Sequence, residues 1–509
     1  MFKDHPKGLI GAALSNMGER FGFYIMMAIL SLFLMSKFGL EKTQATIIYS
    51  IFYALIYLLA LAGGIIADKT KKYKTTILVG LVLMATGYFL IAIPTPTPVP
   101  NFALYLTMTC FGLLTIAFGN GLFKGNLQAV VGQMYDSEEY KNKRDVGFQI
   151  FYMFINIGAL FAPLIAVAMR NWWVGRHGFA YNPDLPALCH KYLDGSLTSE
   201  AANRFSELAN NVSASAPASL EAFAKSYLDV FNTGFHYAFG VSIIAMLIST
   251  IIYITNKKSF PDPAAKKATM GSTAEIQMSV KEIQQRFYAL FAVFAVVIFF
   301  WFSFHQNGVT MTFFAADYTN LSMMKLDLGL VVIEGAELFQ FFNPFFVVFL
   351  TPIIIALFGW LKARGIEPST PKKIGIGMGI AAIAFVVLAI GSVGLPDAAA
   401  LKVQGGLSDA ARVTPMLLIG TYFILTIAEL FISPLGISFV SKVAPPQYQG
   451  IMQGCWLGAT ALGNQLLIFG TIFYENIPVW ATWCVFVTVC LISMFTMLFM
   501  VKWLERVAK

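Results

Sequence analysis

The chain has 509 residues, of which 57% are hydrophobic and 12% charged, with a formal net charge of +8. A soluble domain carries about 25% charged residues. Half that share over so long a chain excludes an ordinary water-facing surface and points to lipid as the solvent. The excess of Lys and Arg then belongs in cytoplasmic loops, not on a face that binds nucleic acid.

A helical span needs about 20 mostly apolar residues. Twelve such runs are predicted, over 11–36, 46–67, 75–94, 102–134, 147–169, 235–256, 286–314, 330–360, 374–395, 413–441, 450–473 and 477–502. No strand alternation competes with them, and open sheet edges cannot cross lipid. The leading segment Met1–Lys7 runs into a helix that holds Glu19 and Arg20. That is unlike a cleavable signal peptide, whose core is uncharged.

The expected organisation is helices 1–5 in 1–169, an extracytoplasmic insert over 170–234, helix 6 over 235–256, a cytoplasmic loop over 257–285 and a second bundle over 286–509. The short even-numbered connections hold 18 Lys and Arg, and the short odd-numbered ones hold five. This asymmetry places both termini in the cytoplasm. Within the insert, Phe223, Tyr227, Leu228 and Phe231 are expected to pack into a small cap. The polar middle loop, with Lys257, Lys258, Pro261 and Pro263, divides the chain into two halves of six spans. That division is typical of transporters built from two repeated bundles.

The five cysteines form neither a metal spacing nor a disulfide framework. His177, Cys189 and His190 in the insert read as structural residues. Paired catalytic carboxylates on a polar loop, a nucleophile elbow, a phosphate-binding glycine loop and a His/Glu metal motif are all missing from the sequence. An enzyme, a cofactor and a metal are therefore not expected. A receptor that binds its ligand through the insert is a competing reading, but it gives no reason for charges inside the spans.

Those charges are the informative residues. An ionisable side chain at mid-bilayer costs at least about 2.5–3.5 kcal/mol and by default faces an interior or a water-filled path. Glu19 and Arg20 lie in span 1, Lys124 in span 4, His305 in span 7 and Glu429 in span 10. Glu334 and Glu337 fall near the end of span 8, where water is expected to reach them. On span 1, Asn16, Glu19 and Arg20 share one face, continued by Phe23 and Tyr24. Burial raises the pKa of such a carboxylate and the neighbouring cation lowers it. A substrate carboxylate that competes for Arg20 would let Glu19 take a proton, which couples proton movement to binding.

The set also matches a zwitterion. Arg20 and Lys124 suit a carboxylate, and Glu429 suits an ammonium. Tyr24, Tyr57, Asn156, Gln306 and Asn343 can bond amide groups, and Trp301 and Trp456 can form apolar walls.

At these residues the sequence resembles the proton-dependent oligopeptide transporter family of the major facilitator superfamily. The resemblance runs through nearly all of the membrane part. One signature is similar to Phe151-Tyr152-Met153-Phe154-Ile155-Asn156-Ile157-Gly158, and another to Gly121-Leu122-Phe123-Lys124-Gly125-Asn126. Glu429-Leu430-Phe431-Ile432-Ser433-Pro434-Leu435-Gly436 and Ala459-Thr460-Ala461-Leu462-Gly463-Asn464 match the region of spans 10 and 11. The superfamily's loop motif between spans 2 and 3 is echoed by Gly64-Ile65-Ile66-Ala67-Asp68-Lys69.

The resemblance implies an all-α polytopic membrane protein of twelve transmembrane helices in two six-helix bundles. It implies alternating access and import of di- and tripeptides with protons. Arg20 and Lys124 would meet the peptide carboxylate, and Glu429 and Asn156 its amino end. Tyr24, Tyr57, Asn343 and Trp456 would line the pocket, and Asp68 would hold a cytoplasmic gate. The expected setting is the cell membrane. The expected partners are small peptides, protons and the lipid bilayer, without nucleic acid and with the chain as a monomer.

The sequence departs from the family pattern in three places. Asn16 stands where span 1 has a first glutamate. Phe23-Tyr24 replaces two tyrosines. His305 stands before Gln306 where many members have an acid. Histidine titrates near neutral pH, with an unperturbed pKa of about 6.5, so His305 is expected to take over part of the proton relay. The alternative is a relative with a changed substrate or weakened coupling, working as a facilitator or exchanger.

Overall fold

The computed structural model describes residues 5–70, 72–135, 137–140, 144–214, 217–261, 279–329, 332–445 and 449–507. Twelve helical segments among them are long and apolar enough to cross a membrane. Six precede residues 262–278 and six follow. The middle loop falls mostly on 262–278, outside the described residues.

The helices before that loop are α1 (Gly8–Phe38), α2 (Lys42–Thr70), α3 (Tyr73–Ala92), α4 (Phe102–Met134), α5 (Arg144–Arg176), α6 (Leu185–Leu193), α7 (Ser199–Val212) and α8 (Leu220–Asn256). After it come α9 (Val280–Phe304), α10 (Thr310–Tyr318), α11 (Phe342–Ala363), α12 (Thr370–Gly391) and α13 (Ala398–Gln404). The last four are α14 (Pro415–Val443), α15 (Gln449–Gln465), α16 (Leu467–Asn476) and α17 (Val479–Val507).

The chain forms two compact units. Unit 1 comprises Met1–Gly271, Thr312–Phe341 and Ala399–Pro415, and unit 2 comprises Ser272–Met311, Phe342–Ala398 and Met416–Lys509. Two segments from the second half of the sequence therefore cluster with the first.

In unit 1, glycines bring helices into backbone contact. A Cβ at Gly80 of α3 would lie 2.6 Å from the Gly119 carbonyl oxygen of α4, and one at Gly121 would lie 2.5 Å from that of Leu59 on α2. Small residues at such crossings let apolar helices gain dispersion energy in a solvent as apolar as they are.

The insert is helical. Its α7 starts at Thr198, whose hydroxyl accepts from Ala201 N, and buries the stripe Ala201, Phe205, Ala209 and Val212. Span 6 does not begin at 235: α8 starts at Leu220, where Ser219 Oγ accepts from Ala222 N. Phe223, Tyr227, Leu228 and Phe231 recur on one face, so this polar-flanked turn of chain is an amphipathic helix continuous with the span. Their rings pack with Phe179 and Phe205. His177 meets Trp173 O at 2.9 Å, His190 meets Ser36 O at 2.7 Å, and Cys189 is buried.

Span 8 also starts later than the expected 330. A strand pair, Leu326–Asp327 against Val332–Ile333, and a 3-10 turn over Ala336–Phe341 come first. Pro344 sits in the first turn of α11, where its missing N–H leaves no helical bond unmade, and Pro352 lies further inside the same helix. Glu337, expected within reach of water, is fully buried and ion-paired with Arg170. Arg170 also lies 4.3 Å from the Tyr181 ring centroid. Asn171 beside it donates to Val332 O and Glu334 O, each at 2.8 Å.

The segment 399–415 is held against the insert. Asp184 Oδ2 accepts from Arg204 at 3.0 Å and from Arg412 at 2.8 Å. Arg204 continues to Gly405 O and Leu407 O, and Thr198 donates to Val403 O at 2.8 Å. Gly406 has φ +108°, a region that favours glycine. A Cβ there would lie 2.5 Å from the Asp184 carboxylate.

Candidate functional site: buried charges within each unit

In unit 1, Glu19 and Arg20 sit mid-way along α1 and are 0% and 4% exposed. Residues i and i+1 of a helix do not face each other, yet the long Arg20 side chain folds back over Glu19. Nε donates to Oε2 at 2.5 Å and Nη2 to Oε1 at 2.6 Å, a bidentate pair. The guanidinium carbon also lies 4.5 Å from the centre of the Phe23 ring. Asn120 of α4 donates to Glu19 Oε1 at 2.6 Å.

One turn further along α4, half-buried Lys124 places Nζ 4.6 Å from the centre of the Tyr57 ring. Tyr57 ends a ladder of rings on α2, 5.7 Å from Tyr53, which is 5.8 Å from Tyr49. Tyr24 stands edge-on to Phe23 at 5.3 Å. Unit 1 thus gathers two cations, one carboxylate and several tyrosines in one interior.

Among the described residues, Asn156 forms no hydrogen bond with this group. Asn156 donates to Tyr152 O at 3.0 Å, within its own helix. Asp68 lies on α2, but its side chain is outside the described residues.

In unit 2, Asn343 near the start of α11 donates to Glu429 Oε2 of α14 at 2.8 Å and to Thr426 Oγ1 at 3.1 Å. Glu429 is half-buried. Its remaining acceptor capacity suits a cationic group.

Span 7 breaks at His305. Residues His305–Gly308 form a 3-10 turn between α9 and α10. Span 11 breaks as well, between α15 and α16 at Leu466. The two interruptions meet. His305 Nδ1 lies 2.5 Å from Asn464 Oδ1, and its ring stacks on Trp301 at 4.8 Å. Gln306 donates to Phe302 O at 3.2 Å and Leu467 O at 3.4 Å, and accepts from Thr310 Oγ1 at 2.5 Å. Its amide therefore bonds the Phe302 carbonyl, in the last turn of α9, and ties that break to the first turn of α16. Trp456 is 3% exposed, with its ring lying over Gly436, where a side chain would collide with it.

Sequence reasoning missed Asn120, Asn464 and Arg170. Neutral amides in glycine-rich runs are not anomalous by composition. Arg170 stood at a boundary where the chain turned polar.

Twelve membrane-length helices with ionisable side chains inside them are the build of a multi-pass membrane transporter. The sequence profile of the POT family matches residues 74–289 and 266–480, and the chain belongs to that family. It is a transport protein and not an enzyme.

The chain is 29% identical to "Peptide transporter YePEPT" of Yersinia enterocolitica subsp. palearctica, over 91% of this chain and 87% of the relative. It is 27% identical to "Uncharacterized transporter YclF" of Bacillus subtilis, over 94% and 90%. It is 25% identical to "Dipeptide and tripeptide permease B" of Xenorhabdus bovienii, over 99% and 97%. The crystal structure of peptide transporter POT in complex with sulfate superposes with a TM-score of 0.72 at 22% identity, covering 100% of this chain and 96% of that one. A POT family transporter in complex with 5-aminolevulinic acid superposes at 0.71 and 21% identity, covering 99% and 98%. With the family match, these neighbours give the fold of the major facilitator superfamily expected from the sequence.

Proposed function

We propose that the protein imports di- and tripeptides together with protons, by alternating access, across the cell membrane with both termini in the cytoplasm. The reading is carried by the closed fork of Arg20 on Glu19. A peptide carboxylate that draws Arg20 away leaves Glu19 without its cation in a dry interior, and such a carboxylate takes up a proton. Peptide binding and proton uptake thereby become one event.

Further support comes from each unit by itself. Unit 1 offers Arg20 and Lys124 among Tyr24 and Tyr57, chemistry that suits a carboxylate. Unit 2 offers Glu429 with Asn343, chemistry that suits an ammonium, beside Trp301 and Trp456 as apolar surface. Relatives named as peptide transporters and as di- and tripeptide permeases agree with a peptide substrate. Asp68 is assigned the cytoplasmic gate and Asn156 a contact to the amino end, on the motifs they occupy. His305 is assigned a share of the proton relay in place of an acidic residue.

The test is uptake of labelled dialanine into liposomes that hold the purified protein, with and without an inward proton gradient. Accumulation above equilibrium only with the gradient is expected. Exchange without accumulation would make the protein a facilitator, the alternative that the altered carboxyl set allows. No movement of peptide would overturn the substrate assignment.

A further inference from the structure

The amide of Asn120 has two chemically different ends in one buried place. Nδ2 donates to Glu19 Oε1 at 2.6 Å, whereas Oδ1 is buried and has no hydrogen-bond partner among the described residues. A buried acceptor left unpaired is costly, and native interiors keep few of them. Turning the amide by half a rotation exchanges the two ends. In its present sense the amide donates to an ionised Glu19. In the other sense it accepts from the O–H of a protonated Glu19, because a carboxylate only accepts while a carboxylic acid also donates. Met84 Sδ, the other neighbour of Nδ2 at 3.8 Å, is a weak acceptor and holds neither orientation firmly.

We infer that Asn120 is a positioning residue that turns its amide with the protonation of Glu19, so that the proton is held or released without water. The inference rests on the reading of Glu19 as the proton carrier and adds the group that serves both of its states. The ionisable groups whose charge is felt in this cluster are Arg20 and Tyr24 on α1, Tyr57 on α2, Tyr88 on α3 and Lys124 on α4. Tyr88 Oη is likewise buried without a partner among the described residues. Beside Glu19 itself, α8 meets α1 through Ser242 and Ser249, and α5 through Gly158.

Infrared difference spectroscopy of the purified full-length protein, titrated with pH, tests this. The carbonyl band of protonated Glu19 is identified by its loss in Glu19→Gln. In Asn120→Leu two changes are expected. The band moves to higher frequency, because the acid loses its acceptor. Its titration midpoint rises by about half a pH unit, a threefold gain in proton affinity, because the bond lost by the ion is the stronger of the two. A merely structural role would leave the band where it is.

An unchanged band position overturns the inference, as does a midpoint that stays or falls, or a Glu19 that never titrates. Should Asn120→Leu fail to fold, Asn120→Ala asks the same two questions. Neither readout needs a substrate. A protein that titrates as expected but moves no peptide sinks the proposed function alone, and the converse result sinks this inference alone.

Discussion

Arg20 uses Nε and Nη2 together on one carboxylate, and lysine at that position keeps the charge but loses the planar fork. Arg20→Lys is expected to weaken dipeptide affinity by about tenfold, the scale of one charge-assisted hydrogen bond; wild-type affinity in an equilibrium binding assay would remove Arg20 from the carboxylate site. Lys124→Ala and Glu429→Gln each remove one charge from a pair that a zwitterion would complete. Liposome uptake should fall by roughly thirtyfold or more in each, since truncating one member of a buried charge pair costs about 2–5 kcal/mol. Normal uptake in either variant would sink that assignment. For His305, held at Asn464 and stacked on Trp301, glutamine retains hydrogen bonding but cannot titrate. His305→Gln should flatten the pH dependence of uptake. An unchanged profile would leave His305 as a structural bond between spans 7 and 11. These charged residues were legible in the sequence because each stands out against a long apolar run. Asn120 and Asn464 were not, because an amide differs from its surroundings only in what it bonds, and bonding is a property of the fold.

The elements that sequence placed least well are those whose ends depend on distant partners. The start of α8 at Leu220 goes with aromatic packing inside the insert, and the late start of α11 with the 3-10 turn before it. The breaks in spans 7 and 11 fall at the short polar runs His305-Gln306-Asn307-Gly308 and Asn464-Gln465, and each is stabilised by the other. Arg170 and Glu337, 167 residues apart in sequence, form a fully buried pair that joins α5 to the turn before α11. Arg170→Met leaves Glu337 buried without its cation, and a loss of about 3–5 kcal/mol is expected. The thermal unfolding midpoint in detergent measures it. The double variant Arg170→Met with Glu337→Leu should recover most of that loss, because replacing a buried pair by apolar groups is often neutral. A double variant as unstable as the single would show that the geometry, rather than the stranded charge, carries the cost.

Across the whole molecule, sequence reads two halves of six spans, whereas compactness assigns 312–341 and 399–415 to unit 1. No local pattern could reveal this, since the segments that come together are far apart in sequence. Besides the Asp184 contacts, Lys42 meets Asp317 at 2.6 Å and Lys402 meets Glu41 at 2.8 Å. Burial works to raise the Glu41 carboxyl, but the hydrogen bond and charge of Lys402 outweigh it and hold it below its ordinary value. A carboxyl lowered in the fold contributes stability that is present above its unfolded pKa, about 4.3, and is lost as pH falls through the folded value. Protection of residues 398–404 against hydrogen exchange, corrected for intrinsic rate, should therefore decline in acid below about pH 4.3. Glu41→Gln should remove that decline, and a decline that persists in the variant would assign it to another group.

The Glu19–Arg20 bond has a consequence for how the chain is made. Its two members are neighbours in sequence, so it can close while α1 is still the newest segment to leave the ribosome. A lone arginine or aspartate at a helix centre costs about 2.5–3.5 kcal/mol at the translocon. Joined as they are, the opposite charges enter lipid as one neutral unit, before α4 and its Asn120 have been synthesised. The residue pair that the proposed coupling would later pull apart is thus the same pair that lets α1 be inserted.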